Sequence, residues 1–268
     1  MEARALDDGR RSVNDITFIM TWYGQANHLY LQLEFFKQMG KKHEMKPKLI
    51  MINDGHDDRL YFERMIKAYK PHMHLTGIQL DKDHGFNSHM CRNIGVKQAT
   101  TDWIMMTDVD CHLSEELFGY IISEAKLDDS MYYVPKANME IKENMEEYEL
   151  LDPKGIIKKQ THPNTWIMTR ECFWSTGGYD IEFQNVRQGD AEFYLSIGRP
   201  GVKQWDYDLI HPEYTIFVRA PKREESYIRQ EDKKCMMAKE LVEFVRVRNT
   251  NPYRKYRKRI TNCSWEFV

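Results

Sequence analysis

The chain has 268 residues, of which 41% are hydrophobic and 30% charged, and its formal net charge is −2. This length accommodates one large α/β domain, the near-neutral charge gives no argument for binding to nucleic acid, and no apolar run reaches the ~20 residues that a membrane-spanning helix needs. The five cysteines are scattered without a Cys-x-x-Cys pair, which argues against a zinc site or a disulfide framework and favours a reducing, cytoplasmic compartment.

The first half of the chain alternates apolar, strand-like runs with segments of helical periodicity. Strands are predicted at residues 16–21, 48–52, 74–80, 102–107 and 131–135, and helices at 26–39, 59–69, 88–98 and 115–125. Such alternation predicts an α/β fold with a mostly parallel central sheet flanked by helices. In sheets of this kind, ligands bind beyond the carboxyl ends of the strands.

The second half is less regular. We expect a long loop over the site at 137–160, a strand at 165–168, a turn at Gly177-Gly178, and helices at 190–197 and 224–248. The helix at 224–248 has the apolar spacing of an amphipathic helix. The prediction is therefore one domain over residues 1–223, with a C-terminal helical extension and basic tail, residues 224–268, packed on it.

Two carboxylates, Asp108 and Asp110, directly follow the apolar run 103–106. Carboxylates beside a hydrophobic strand end are unfavourable unless their charge is compensated. A divalent cation that holds a diphosphate would compensate it, and oxygen ligands suit Mg²⁺ or Mn²⁺. An Asp-x-Asp triplet alone is weak evidence, because surface turns contain it by chance.

Five more short segments accompany this triplet. In chain order the six are Phe-Ile-Met-Thr-Trp-Tyr at 18–23, Ile-Met-Ile-Asn-Asp-Gly at 50–55, a stretch ending in Arg-Asn-Ile-Gly at 84–95, Thr-Asp-Val-Asp at 107–110, Gly-Gly-Tyr-Asp at 177–180 and Gln-Gly-Asp-Ala-Glu at 188–192. Together they resemble the GT-A fold (Rossmann-like) glycosyltransferases, most closely the inverting family 2 enzymes. Three positions depart from that pattern: Gly24 replaces Asn, Asn53 replaces Asp and Gly189 replaces Glu.

The resemblance implies a metal-dependent, inverting glycosyltransferase. It would move a sugar from a nucleotide-diphosphate sugar, a UDP-sugar by preference, to a hydroxyl of a glycan, lipid or protein acceptor, with Mn²⁺ or Mg²⁺ as cofactor. Asp108 would lie near the ribose or reach the metal through water, and Asp110 would bind the metal directly. The cation would stabilise the charge on the departing nucleoside diphosphate. His211 is the candidate third metal ligand, although a lone histidine is more often structural.

Besides Asp108, four residues are expected to hold the nucleotide. Asp54 resembles the carboxylate that accepts the uracil imide hydrogen, and Thr21 would support the base from the same ledge. Tyr23 follows a strand end, where an aromatic ring could stack on the base for roughly 1–3 kcal/mol. Arg92 would point toward the diphosphate from a helix that begins near the site. The structural alternatives are a plain turn for Asp54, a packing aromatic for Tyr23 and a solvated arginine for Arg92.

Asp190 is the candidate catalytic base. A carboxylate within hydrogen-bond reach of the acceptor hydroxyl removes its proton as the new bond forms, which typically contributes ~10²–10⁴-fold. A position in the first turn of a helix would stabilise the charged form. The alternative is that Asp190 only caps the helix. Trp166 and Trp174 are either an apolar platform for an acceptor sugar or packing residues.

Two other functions are weighed against glycosyl transfer. A sugar-1-phosphate nucleotidyltransferase would carry a Gly-rich loop after the first strand, and residues 21–25 contain none. A non-catalytic sugar-nucleotide or glycan-binding module is suggested by the departures at Gly24, Asn53 and Gly189. The basic cluster at 253–259 reads as a solvated helix end or as a peripheral contact with anionic lipid. Nothing in it supports a nucleic-acid partner.

Overall fold

The computed structural model describes residues 10–12, 15–24, 26–81, 87–129, 132–135, 138–141, 156–158, 164–181, 193, 215–218 and 265–268. Within them the elements are β1 (Arg10–Ser12), β2 (Ile16–Trp22), α1 (Ala26–Lys42), β3 (Lys48–Asn53), α2 (Arg59–Tyr69), β4 (His74–Leu80), α3 (Ser88–Gln98), β5 (Trp103–Asp108), β6 (Cys111–Leu113), α4 (Glu115–Ser123), β7 (Lys126–Asp128), β8 (Asn138–Ile141), β9 (Ile156–Lys158), β10 (Trp166–Thr169), α5 (Arg170–Thr176), β11 (Thr215–Val218) and β12 (Trp265–Phe267).

The central sheet has six strands in the order β10-β5-β2-β3-β4-β12. The inner four, β5, β2, β3 and β4, are mutually parallel. The edge strands β10 and β12 run antiparallel to their neighbours. Parallel neighbours need a crossover of a dozen or more residues, and helices α1, α2 and α3 follow β2, β3 and β4 in the chain. The predicted α/β class and mostly parallel sheet are confirmed.

Apolar side chains alternate between the two faces of this sheet and form two cores. On one face Phe18 packs with Phe36 of α1 and Phe118 of α4, in a core that α2 also joins. On the other face Ile19 packs in a core with Ile94 of α3, to which α5 also contributes. Since successive residues of a strand point to opposite faces, a continuous apolar strand is expected where helices cover both sides.

The loop predicted at 137–160 is wrong at two places. Residues 138–141 and 156–158 are strands β8 and β9 of a second sheet, whose order is β6-β11-β8-β9. β8 pairs in parallel with β11, more than seventy residues further along the chain. Strand formation that depends on such a distant partner leaves little local signal.

Most predicted boundaries are close to the observed ones. The predictions for α2, α3 and β4 match the observed ranges, whereas α1 continues beyond Gly40 to Lys42. Gly40 does not end the helix. It lies instead where the following loop comes close to the helix, since a Cβ there would lie 2.8 Å from Pro47 Cδ. Of the strand predicted at 131–135, the described residues 132–135 form only an isolated bridge from Tyr133 to Ile167.

Other predictions lie outside the described residues. The helix expected at 190–197 is described only at Phe193, and the helix at 224–248 and the basic cluster at 253–259 are not described. Among the helices that are described, none combines the length and apolar character that crossing a bilayer requires.

Candidate functional site

The predicted nucleotide-binding residues meet at the carboxyl edge of the central sheet. The register pairs Thr21 of β2 with Asp108 of β5, and Trp22 with Asn53 of β3. Asp54 directly follows β3, and its amide donates to the Trp22 carbonyl at 3.0 Å. The sheet therefore places Thr21, Asp54 and Asp108 side by side, although more than fifty residues separate Asp54 from Asp108 in the chain.

Asp108 is held by two side chains. Its Oδ1 accepts a hydrogen bond from Arg92 Nη2 at 2.5 Å, and its Oδ2 accepts one from Asn164 Nδ2 at 2.8 Å. Arg92 is 1% exposed, and its guanidinium carbon lies 5.1 Å from the centroid of the Tyr179 ring. The solvated alternative for Arg92 is wrong, because its charge is compensated inside the protein by Asp108. Contact between Arg92 and a diphosphate stays a prediction.

Asp54 connects β3 to the start of α3. Its side chain is 1% exposed, and Oδ2 accepts a hydrogen bond from the Asn87 amide at 2.6 Å. Asn87 is the residue immediately before the first turn of α3. A carboxylate at this position satisfies one of the amides that a helix N-terminus leaves unpaired. The predicted contact between Asp54 and uracil stays a prediction.

The departure at Asn53 has a structural reason. Asn53 Nδ2 donates to Gln79 Oε1 at 2.7 Å and to the His56 carbonyl at 3.2 Å, and Asn53 Oδ1 accepts from the His56 amide at 2.9 Å. An aspartate carboxylate has no hydrogen to donate to Gln79 or to that carbonyl. The amide therefore belongs to a side-chain network of this chain.

The departure at Gly24 is explained by His56. Gly24 has a φ of +77°, and a Cβ on it would lie 2.5 Å from His56 Nε2. The imidazole ring also packs edge-on against Tyr23, with 5.1 Å between the ring centroids. The positive φ favours glycine, and a Cβ here would force the His56 ring to move. Tyr23 is half-buried, and stacking on a base stays a prediction.

Three residues of the Arg-Asn-Ile-Gly segment in α3, Arg92, Asn93 and Gly95, have separate contacts. Arg92 binds Asp108, as above. Asn93 Nδ2 donates to the Tyr179 carbonyl at 2.9 Å, and Asn93 Oδ1 accepts from the Tyr179 amide at 3.0 Å. Gly95 lets α3 approach the sheet, because a Cβ there would lie 2.4 Å from Ile19 Cγ2. These contacts join α3 to the sheet and to the Gly-Gly-Tyr turn.

Two ionisable groups beside the Asp-x-Asp turn are uncharged at neutral pH. Burial, together with the charge of His28, lowers the pKa of His112 to about 3. Burial raises the pKa of Cys111 to about 12, and the negative charges of Asp110 and Asp108 act in the same direction. Neither group is therefore suited to act as a base or nucleophile at neutral pH, and the carboxylates carry the negative charge of this region.

The two tryptophans have different surroundings. Trp166 is fully buried, lies 5.8 Å from Phe173 between ring centroids, and donates from Nε1 to the Tyr179 hydroxyl at 3.1 Å. It packs in the core, so its use as an acceptor platform is excluded. Trp174 is 36% exposed. The candidate base Asp190 and the candidate metal ligand His211 lie outside the described residues.

Three residues of the site were missed by the sequence predictions. Gln32 contacts the turn that carries Asp110, Asn87 contacts Asp54, and Asn164 contacts Asp108. Gln32 had a detectable signal, because it is a polar residue on the apolar face of a helix. Asn87 and Asn164 stand before a helix and a strand, and no local pattern distinguishes them from ordinary capping or loop residues.

Comparison with known proteins places this architecture in a family. The sequence model described as "Glycosyltransferase like family 2" matches residues 17–203. No curated protein matches the sequence. Three similar solved structures are the mannosyltransferase PcManGT from Pyrobaculum calidifontis in complex with GDP-Man and Mn²⁺ (TM-score 0.50, 17% identity, 81% of this chain and 60% of that one), S. aureus TarS 1–349 (0.46, 16%, 68% and 54%) and GalNAc-T7 with UDP, GalNAc and Mn²⁺ (0.47, 13%, 71% and 41%).

This chain thus spans between 41% and 60% of the length of those three chains. Their identities are low, so the likeness concerns the fold. The family model, in contrast, covers well over half of this sequence, from the first strand of the central sheet onward. The protein belongs to the glycosyltransferase-like family 2, and its fold is that of the GT-A glycosyltransferases.

Proposed function

We propose that this chain is a metal-dependent, inverting glycosyltransferase that transfers a sugar from a UDP-sugar to a hydroxyl of a glycan, lipid or protein. The family assignment supports glycosyl transfer over the nucleotidyltransferase alternative. The mannosyltransferase of similar fold was solved with a nucleotide sugar and Mn²⁺, which is consistent with this donor class and cofactor. A peripheral membrane contact through residues 253–259 remains part of the proposal.

The observation that carries the proposal is the meeting of Thr21, Asp54 and Asp108 at the carboxyl edge of adjacent parallel strands. In open α/β sheets this edge is where ligands bind. Asp54 would contact the base, with Thr21 and Tyr23 beside it. Asp108 ends β5, on the other side of β2 from Asp54, and the ribose and phosphates would extend toward it. The order of groups along the edge thus follows the order of groups in a nucleoside diphosphate.

The chemistry of Asp108 and Asp110 fits a divalent cation. Both are carboxylates, and both are partly exposed at the end of β5. Among the described residues, no cluster of three or more His, Cys, Asp or Glu side chains could hold a metal ion. His211 stays the proposed third protein ligand, and diphosphate oxygens would also coordinate the cation. Each Asp108 oxygen accepts a hydrogen bond, and we assign Asp110 as the direct ligand. When bound, the cation supplies charge stabilisation to the leaving diphosphate.

The alternative of a non-catalytic sugar-nucleotide or glycan-binding module has less support once its grounds are compared with the structure. It was suggested by departures from the family pattern, and two of these, Gly24 and Asn53, are accounted for by contacts with His56 and Gln79. The chain retains Asp190, which we assign as the base that takes the proton of the acceptor hydroxyl. Phe193, three positions after Asp190 in the sequence, is fully buried in the core beside Trp166, with 5.6 Å between ring centroids.

Calorimetric titration with UDP, with and without Mn²⁺, tests the proposal. We expect Mn²⁺ to increase UDP affinity at least tenfold, and Asp110→Asn to remove most of that increase because it removes the ligand charge. UDP affinity without metal should stay within about twofold in the variant, because Asp110 is not assigned to the base or ribose. GDP in place of UDP should bind more weakly.

A matched variant separates binding from transfer. Asp190→Asn should bind UDP with Mn²⁺ as the wild type does and lose sugar transfer from a nucleotide sugar, measured as UDP release with a mixture of glycan acceptors. Equal UDP affinity with and without metal would contradict the roles of Asp108 and Asp110. Transfer that persists in Asp190→Asn would mean that another group is the base.

A further inference from the structure

The turn that carries Asp110 is held by a glutamine on another element. Gln32 of α1 is fully buried, and its Nε2 lies 3.0 Å from the carbonyl oxygen of Val109 and 3.0 Å from that of Cys111. An amide nitrogen has two hydrogens to donate. Both are used on the two carbonyls that flank Asp110.

The other end of the same side chain, the Gln32 carbonyl oxygen, makes an unfavourable contribution to stability. Gln32 Oε1 is buried and has no hydrogen-bond partner among the described residues. A buried polar atom without a partner lowers stability by about 1–3 kcal/mol. Most of the buried residues of this helix are apolar, Leu29, Leu33 and Phe36 among them, although His28 is buried too. An apolar residue would avoid this loss, so the glutamine is better explained by the geometry that it imposes on the turn.

A second side chain, Thr107 of β5, contacts the same turn. Thr107 Oγ1 lies 3.2 Å from the Cys111 carbonyl oxygen, and it also lies 3.2 Å from Thr165 Oγ1. Thr107 is fully buried in β5. The Cys111 carbonyl is therefore fixed between α1 and β5, and the backbone on either side of Asp110 has little freedom.

We propose that Gln32 is a positioning residue that sets the direction of the Asp110 carboxylate toward the cation, and that metal-dependent nucleotide binding requires it. The inference rests on the proposed function. Groups that orient metal ligands typically change metal affinity 10–100-fold when they are removed. Gln32 acts through the Val109 and Cys111 carbonyls, so its effect should appear in the metal-dependent part of UDP binding alone.

Gln32→Met tests this, because methionine has the same length and no hydrogen to donate. Calorimetry should show UDP affinity in the presence of Mn²⁺ reduced about tenfold or more, with metal-free UDP affinity within twofold of the wild type. The control is Gln38→Met on the same helix. Gln38 is half-buried and its Nε2 donates to Glu34 Oε1 at 3.4 Å, away from the Asp110 turn, so both affinities should be unchanged.

A folded Gln32→Met protein whose Mn²⁺-dependent UDP affinity stays within twofold of the wild type would overturn the inference, whatever its thermal stability. If Gln32→Met does not fold, Thr107→Val decides the matter, because it keeps the side-chain shape and removes the other bond to Cys111. We expect Thr107→Val to lower the metal-dependent UDP affinity several-fold. An unchanged metal-dependent affinity would overturn the inference. Wild-type protein that binds UDP equally with and without Mn²⁺ would overturn the proposed function as well.

Discussion

The Arg92–Asp108 pair shows how a single charge is accommodated at the edge of the core. The Arg92 side chain is 2% exposed and that of Asp108 is 23% exposed. Water can therefore solvate part of the Asp108 charge, whereas the Arg92 charge is compensated mainly by Asp108. The Tyr179 ring lies beside the guanidinium and adds a cation–π contact. Removing one partner of a buried pair leaves an uncompensated buried charge, which strongly lowers the free energy of unfolding. At the residue scale this pair couples stability to the site.

Replacing Arg92 with methionine should lower the free energy of unfolding by about 2–3 kcal/mol, less than for a fully buried pair because Asp108 still meets solvent. Urea unfolding measures it. The control is Arg59→Met, which breaks the surface pair with Glu63, whose side chains are 46% and 33% exposed. Arg59→Met should change the free energy of unfolding by less than about 0.5 kcal/mol. Equal effects of the two substitutions would mean that Arg92 is not a buried partner.

At the scale of elements, α3 is the helix that joins the parts of the site. Nine consecutive residues, 88–96, are buried, so the helix has no solvent face over most of its length. It receives Asp54 at its N-terminus, binds Asp108 through Arg92, and binds the Gly-Gly-Tyr turn through Asn93. A shift of α3 would therefore displace all three contacts at once. Its distance from the sheet is set by Gly95.

Gly95→Ala should lower the free energy of unfolding by about 1–3 kcal/mol through overpacking against Ile19. It should also weaken UDP binding, because α3 must move. Gly119→Ala in α4 is the matched control. Its Cβ would meet the flexible His43 ring at 3.3 Å. The change in unfolding free energy there should stay below about 1 kcal/mol, and helix propensity favours alanine. A stabilised Gly95→Ala protein with normal UDP affinity would contradict the close packing of α3.

At the scale of the whole molecule, the last strand covers an edge of the central sheet. β12 pairs antiparallel with β4, the Val268 amide donates to the Gly77 carbonyl at 3.0 Å, and Lys70 Nζ donates to the Val268 carbonyl at 2.8 Å. Val268 also packs against the core that contains Phe18. An uncovered strand edge presents unpaired amides and carbonyls to other chains. Residues 265–268 therefore protect β4.

Deleting residues 265–268 should lower the free energy of unfolding by roughly 1–3 kcal/mol, through lost edge hydrogen bonds and the contact of Val268. It should also increase self-association. Urea unfolding and light scattering measure the two effects. Phe267→Ser is the control: this side chain is 62% exposed, so its loss should change the unfolding free energy by less than about 0.5 kcal/mol. A truncated protein that is as stable as the full chain and associates no more than it does would contradict this role of β12.

The accuracy of the sequence predictions depends on how local the cause of each structure is. Helices α2 and α3 are encoded by apolar spacing within a dozen residues, and their predicted bounds match the observed ones. Gly40 looks like a helix end in sequence, yet its reason is a contact with Pro47 that the sequence does not reveal. Strand β8 was missed because it pairs with β11, far along the chain, and β9 pairs in turn with β8.

By itself the sequence determined the α/β class, the mostly parallel sheet and the candidate residues Thr21, Asp54 and Asp108, because apolar periodicity and strand-end chemistry are local properties of the chain. Only the tertiary structure decided the partners of those residues. Arg92 binds Asp108, and Gln32 holds the turn beside Asp110 from a helix more than seventy residues earlier. Hydrogen bonds of this kind depend on distances in space between groups that are remote in the chain, and sequence spacing carries no record of those distances.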